Sequence, residues 1–122
     1  MKITIKATNM DLTPALSQYI EEKVGSLAKF IKNYEIDSEI QARVEVGRST
    51  RHHHSGNVFR AEVNLDLPKK ILRSVAEKED IRVAINRARD ELQQEIKKRN
   101  QKSNIKNDKK AYREILKRKG EI

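Results

Sequence analysis

From Asp80 onward apolar residues return at the steps a straight helix requires: Ile81, Ile85, Ala88, Leu92 and Ile96 follow one another at four, three, four and four residues. That spacing puts all five on one face, and a face of this width needs another layer of protein against it. Asp80, just ahead, offers a carboxylate to an orphan backbone N–H at the helix start. The pattern predicts a helix from Ile81 to about Arg99. Its other side carries Arg82, Arg87, Arg89, Lys97 and Lys98, so one element supplies both a core stripe and a cationic surface.

The rest of the chain reads as what covers that stripe. Ile3, Ile5 and Ala7 alternate with Lys2, Thr4, Lys6 and Thr8, the period of a half-buried strand. Thr13-Pro14 reads as an N-cap followed by proline at the first helical position, where its missing N–H costs nothing. The helix they open is expected to run to about Lys32, with Leu16, Ile20, Val24, Leu27 and Ile31 on one stripe and Tyr19 and Phe30 flanking it. Gly25 inside it costs roughly 1 kcal/mol against alanine, too little to end so periodic a segment. Lys23, Lys29 and Lys32 lie off the apolar stripe. Ile40, Ala42, Val44 and Val46 then alternate with polar residues, as do Phe59, Ala61, Val63 and Leu65, with a basic hairpin loop from Gly47 to Gly56 between them. A turn at Leu67-Pro68-Lys69-Lys70 leads to a fourth strand over Ile71–Ala76, with Leu72, Ser74 and Ala76 inward and Ile71 and Val75 outward.

Two one-sided helices and four one-sided strands bury their apolar faces together if both helices lie on one face of the sheet. This is an α+β two-layer sandwich of order β-α-β-β-β-α with a four-stranded mixed sheet. The first two strands, joined through a helix, should be parallel, and the later ones antiparallel. With 122 residues and 4% aromatics, the chain suffices for one small domain with a thin core, expected over residues 1–99. Residues 100–122 read as a basic extension, partly disordered or a short helix. Asn100 to Asn107 is polar and aperiodic, and Asp108 can cap a helix over Lys109–Lys119 with Ala111, Tyr112, Ile115 and Leu116 on a narrow stripe. About 11 residues of helix are marginal alone.

The formal charge of +9 favours a polyanionic partner. Residues 1–99 carry +4 of it (19 basic, 15 acidic) and residues 100–122 carry +5 (8 basic, 3 acidic), so over half of the excess lies in the extension, where charge is often merely solvated. Cysteine is absent, and neither a signal-peptide core nor an apolar run of about 20 residues occurs, which leads us to expect a soluble, cytoplasmic protein with no membrane partner. Catalysis has little to stand on. The carboxylates Glu21, Glu22, Glu62, Glu77 and Glu79 fall on expected solvent faces, and no phosphate loop or nucleophile elbow is present. No cofactor, metal or small-molecule substrate is expected. His52-His53-His54 lack a Cys or acidic cluster and read better as loop residues that touch phosphate with Arg48 and Arg51. An RNA-recognition motif would show aromatics on its open sheet face, whereas Lys2, Thr4, Arg43, Glu45, Arg60 and Glu62 are expected there. Contact with phosphate from helices and loops fits better.

Two stretches resemble a known family. Ile3-Thr4-Ile5-Lys6, Asn9-Met10-Asp11-Leu12-Thr13-Pro14-Ala15-Leu16, Tyr19-Ile20, Leu27 and Lys29-Phe30 resemble the N-terminal strand and helix of the ribosome hibernation promoting factors and ribosome-associated inhibitor A proteins. Glu79-Asp80 with Ala84-Ile85-Asn86, then Leu92 and Lys98, is similar to the start of that family's second helix, with Ile81-Arg82 in place of its usual Met-Tyr pair. The resemblance covers about residues 2–99 and looks like a short form with a basic extension. It implies a domain that binds the small ribosomal subunit between head and body, overlaps the mRNA path and the tRNA positions, silences translation by occlusion and preserves idle ribosomes under stress or in stationary phase, without cofactor or reaction. The positions the family uses for ribosomal RNA correspond to Lys23, Ser26 and Lys29 on the first helix and to Glu91, Gln94 and Lys98 on the second. Ser26, Glu91 and Gln94 depart from its basic pattern, and Arg87, one turn before Glu91, lies on the same flank.

The expectation carried forward is a ribosome-binding translation inhibitor, not an enzyme. Its ribosomal-RNA contacts would be Lys23, Lys29, Lys32, Arg82, Arg87, Arg89, Lys97 and Lys98. Its partners would be the RNA and neighbouring proteins of the small subunit. A general double-stranded RNA binding module is the alternative, and an interaction protein with protein-pairing helices a third reading.

Overall fold

Alternation in four short segments becomes four strands: β1 (Lys2–Thr8), β2 (Gln41–Arg48), β3 (Phe59–Leu67) and β4 (Lys70–Lys78), in spatial order β1-β2-β3-β4. The computed structural model describes residues 1–35, 38–49 and 58–118, with 102–118 as helical backbone. Arg48, expected in the hairpin loop, instead ends β2 with its guanidinium 5.8 Å from the Phe59 ring centroid. The expected loop contacts of Arg51 and of the three histidines, the side chains of the expected stripe at Ala111–Leu116 and the chain end lie outside the described residues and side chains. β1 and β2 pair in parallel, and the other two pairs are antiparallel. The register aligns Ile5, Val44, Val63 and Ser74 across the sheet on one face, and Lys6, Glu45, Glu62 and Val75 on the other. Ser74 is buried in the inner row and Ile71 is 58% exposed, so β4 faces as its sequence indicated.

Two local features hold the register. An added Cβ at Gly47 would sit 2.6 Å from the Thr8 carbonyl oxygen, so only glycine lets β1 and β2 approach as they do. The two-residue turn between β3 and β4 places Lys69 at φ 67°, after Pro68, the left-handed conformation a type II turn demands and glycine adopts most easily.

Thr13 caps α1 (Pro14–Gly25): its Oγ1 accepts from the Leu16 amide at 3.1 Å, and Pro14 occupies the first turn. The α-helix does not reach Lys32 as expected. It ends at Gly25 and tightens into 3-10 turns over Ser26–Phe30 and Lys32–Tyr34. Gly25 weakens the helix where the Ser26 hydroxyl donates to the Lys23 carbonyl at 2.6 Å, a side chain competing with the backbone ladder. The tighter winding still turns Leu27 and Ile31 inward, so the stripe survives the change of helix type.

Asp80 opens α2 (Ile81–Arg118), its carboxylate accepting from the Arg82 amide at 2.8 Å. The expected break after Arg99 is absent, and one helix continues to Arg118. Residues 100–107 contain neither proline nor glycine, and extending an existing helix avoids the unfavourable nucleation step that would penalise a separate one. Ala84, Ile85, Ala88, Leu92 and Ile96 join Leu16, Ile20, Val24, Leu27, Ile31 and the inner strand residues in one core, with Ile81 packed at its edge. Each fully buried Leu or Ile there contributes about 1.5–3 kcal/mol. Both helices cover the same sheet face and meet along a seam.

Candidate polyanion interface

A second stripe on α2 runs beside the core stripe and faces α1 and the turns after it: Arg82, Asn86, Arg89, Gln93, Lys97 and Asn100, at steps of four, three, four, four and three. Its polar members fasten the seam. Asn86 Nδ2 donates to the Tyr19 hydroxyl at 2.6 Å, and Asn100 Nδ2 donates to the Phe30 carbonyl at 3.0 Å while its Oδ1 accepts from the Tyr34 hydroxyl at 2.9 Å. The Arg89 guanidinium donates from Nε and Nη2 to Ser26 Oγ at 3.0 and 2.8 Å, from Nη1 to Asp90 Oδ1 at 3.1 Å, and to Gln93 Oε1.

Arg82 and Lys97 of this stripe, with Lys23 and Lys29 of α1 and the turn after it, lie over aromatic rings. Lys23 Nζ and the Arg82 guanidinium are 5.6 and 5.1 Å from the centroid of Tyr19. Lys29 Nζ and Lys97 Nζ are 5.1 and 5.3 Å from that of Phe30. Each ring thus takes one cation from the α1 side and one from α2. Lys29, Lys32, Arg82, Lys97 and Lys98 are exposed and Lys23 half-buried. Among the described residues none of these six pairs with a carboxylate.

The open sheet face is the opposite case. Arg43 pairs with Asp66 through Nη2 at 2.7 Å and Nε at 3.1 Å, and Lys6 lies 3.7 Å from Glu45. Arg60 and Arg73 converge on Glu62 Oε1 at 3.0 and 2.5 Å, while Asn64 donates to its Oε2 at 3.2 Å. Burial opposes ionisation of Glu62, but the bonds from Asn64, Arg73 and Arg60 outweigh it and hold the carboxyl below the usual glutamate range. Glu35 likewise ionises more readily than usual. Burial acts against it, while the Ile40 amide and the Met1 amino group at 3.0 Å from its Oε2 act for it. Carboxylates shifted this way are poor proton donors near neutral pH.

The eight cations expected to share one surface separate into a seam group of five, two on the far flank of α2, and Lys32 apart from both. Lys23, Lys29, Arg82, Arg89 and Lys97 gather at the seam, but Arg89 is only 18% exposed and its guanidinium is committed to cross-bracing. Arg87 sits on the other flank of α2, bonded to Glu91 Oε1 at 3.2 Å, and Glu91 Oε2 accepts from Ser74 on β4 at 3.1 Å. Lys98 follows Glu91 by seven residues and so shares that flank. Lys32 stands exposed in the second 3-10 turn. The sequence reading missed the part played by Tyr19 and Phe30. The four-residue step from Tyr19 to Lys23 is a local signal of such a pair, but the approach of Arg82 and Lys97 is set by tertiary packing.

Among the described residues no helix is long and apolar enough to cross a membrane, and no group of three His, Cys, Asp or Glu side chains is placed to hold a metal ion. Fold and seam together define a small α+β sandwich of mixed sheet and two one-sided helices, in which Lys6, Arg43, Arg60 and Arg73 are paired with carboxylates on the sheet face while, among the described residues, Lys23, Lys29, Arg82 and Lys97 at the seam are not. The chain belongs to the family described as Sigma 54 modulation protein / S30EA ribosomal protein, whose model matches residues 3–104. It is 26% identical over 106 residues to the ribosome hibernation promotion factor of Bacillus subtilis (87% of this chain, 52% of that protein). It is 30% identical over 95 residues to the protein of the same name from Deinococcus radiodurans (77% and 46%). The chain therefore spans about half the length of these curated relatives. Its fold matches the Protein Y N-terminal domain of Thermus thermophilus at a TM-score of 0.64 and 30% identity, covering 80% of this chain and 98% of that one. A ribosomal subunit interface protein from Coxiella burnetii shares the fold at a TM-score of 0.64 and 18% identity, covering 82% and 98%.

Proposed function

We propose that this chain is a ribosome-binding translation regulator of the hibernation class. It docks on the small subunit through ribosomal-RNA phosphates and occludes the mRNA and tRNA sites without catalysing a reaction. The observation that carries the proposal is the contrast between the two faces. Cations already paired with carboxylates gain little from phosphate, whereas Lys23, Lys29, Lys32, Arg82, Lys97 and Lys98 form no ion pair among the described residues and so have none to break on binding. Arg87 contributes charge beside Glu91, and Arg89 contributes mainly by fixing the seam. The names of the relatives support the same reading: two are hibernation promotion factors, and one structural neighbour is a ribosomal subunit interface protein.

Co-sedimentation with purified small subunits tests this. Binding that tRNA displaces, and that a free RNA duplex of equal length fails to displace, is the expected result. Equal affinity for any duplex would instead make the chain a general double-stranded RNA binder.

A further inference from the structure

Four of the seam cations share two rings, and that arrangement has a property no salt bridge has. A carboxylate that orders a lysine also cancels its charge, whereas a ring face orders the cation through its quadrupole and leaves the charge intact for a second partner. We infer that Tyr19 and Phe30 are positioning residues of the polyanion interface. Tyr19 presents Lys23 with Arg82 as one fixed pair, and Phe30 presents Lys29 with Lys97 as another. The inference rests on the phosphate-binding reading above and assigns how that surface is pre-ordered.

The rings are themselves held. The Tyr19 hydroxyl accepts from Asn86, the Phe30 carbonyl accepts from Asn100, and both side chains pack against the core. Lysine and arginine lose much rotamer freedom when they bind a phosphate, so cations already confined over a fixed ring bind at a lower entropic cost. Arg82 and Lys97 lie fifteen residues apart on one helix, about 22 Å at 1.5 Å per residue, with the Arg89–Ser26 brace between them. Occupying both pairs at once takes an extended polyanion such as an RNA strand, not a mononucleotide.

The test measures dissociation constants of the full chain for purified small ribosomal subunits across a salt series, corrected for the folded fraction by circular dichroism. Tyr19→Leu and Phe30→Leu keep every charge and remove a ring; each is expected to weaken binding by about 5-fold to 150-fold, the cost of ordering two side chains that the ring no longer confines. The slope of log affinity against log salt should stay at the wild-type value. Phe30→Tyr, which keeps the ring and the backbone carbonyl that Asn100 holds, should bind within about twofold of wild type. Lys23→Gln provides the contrast, with a slope shallower by about 0.7–0.9 for one lost phosphate contact. Wild-type affinity in both leucine variants, or a shallower slope in either, overturns the positioning role while a normal Lys23→Gln response leaves the phosphate reading standing. Wild-type binding without salt dependence overturns both.

Discussion

Replacing Ser26 with alanine removes the hydroxyl on which Arg89 closes the seam, and the geometry sets the size of the effect. Two guanidinium N–H groups, at 3.0 and 2.8 Å, converge on that one oxygen, and the arginine side chain is 18% exposed. Hydrogen bonds to charged groups are worth about 1.5–3 kcal/mol, and the partial exposure lets water replace some of this, so Ser26→Ala should cost about 1–2 kcal/mol. For a domain of this size, Tm should fall by about 4–8 °C for each kcal/mol lost. The assay is urea unfolding of wild type, Ser26→Ala, Arg89→Met and the double variant. If the pair acts as a unit, the double variant should lose less than the sum of the singles by about 1 kcal/mol. Additivity within about 0.3–0.5 kcal/mol would refute the brace and leave Arg89 held only by Asp90 and Gln93 on its own helix.

The same packing sets the size of three further effects. Leu92→Ala, at a fully buried core position, should destabilise by about 2–5 kcal/mol in chemical unfolding. Lys69→Gly relieves a left-handed conformation that costs a non-glycine residue about 1 kcal/mol, and should raise the unfolding midpoint. Glu62 and Glu35 have folded pKa values below their ordinary ones, so the unfolded chain binds more protons and stability must rise with pH across that interval. Their contribution is complete above the ordinary glutamate value of about 4.3 and is lost as pH falls through the folded values. Glu62→Gln should flatten that acid limb in pH-dependent unfolding.

Much of the fold is written in local patterns. Alternation gives all four strands and their faces, including Ser74 inside and Ile71 outside, and the helical steps give both core stripes with their Thr13 and Asp80 caps. Helix ends are less legible because they turn on small competing terms. One serine hydroxyl after Gly25 changes the helix type, and a stretch of merely polar residues lets α2 continue past Arg99. The interface is half legible. The cations are visible in the sequence, but which remain unpaired depends on contacts between distant segments. Arg87 with Glu91 can be read from a four-residue step, whereas Arg89 with Ser26 joins residues 63 positions apart. The polar stripe from Arg82 to Asn100 has the same period as the apolar one beside it and is readable once its polarity is taken as an address for a neighbouring helix.

The account stands on uncompensated seam charge meeting ribosomal phosphate, and charge reversal tests that most directly. Lys23→Glu combined with Lys29→Glu alters two residues outside the core; it removes two cation–ring contacts, so stability should fall by about 1–2 kcal/mol while the domain stays folded. Co-sedimentation of this folded variant with small subunits should be lost, or survive only at low salt with a slope shallower by about 1.5, the loss of two phosphate contacts. Wild-type co-sedimentation with an unchanged salt slope would contradict the account and move the interface away from the helices.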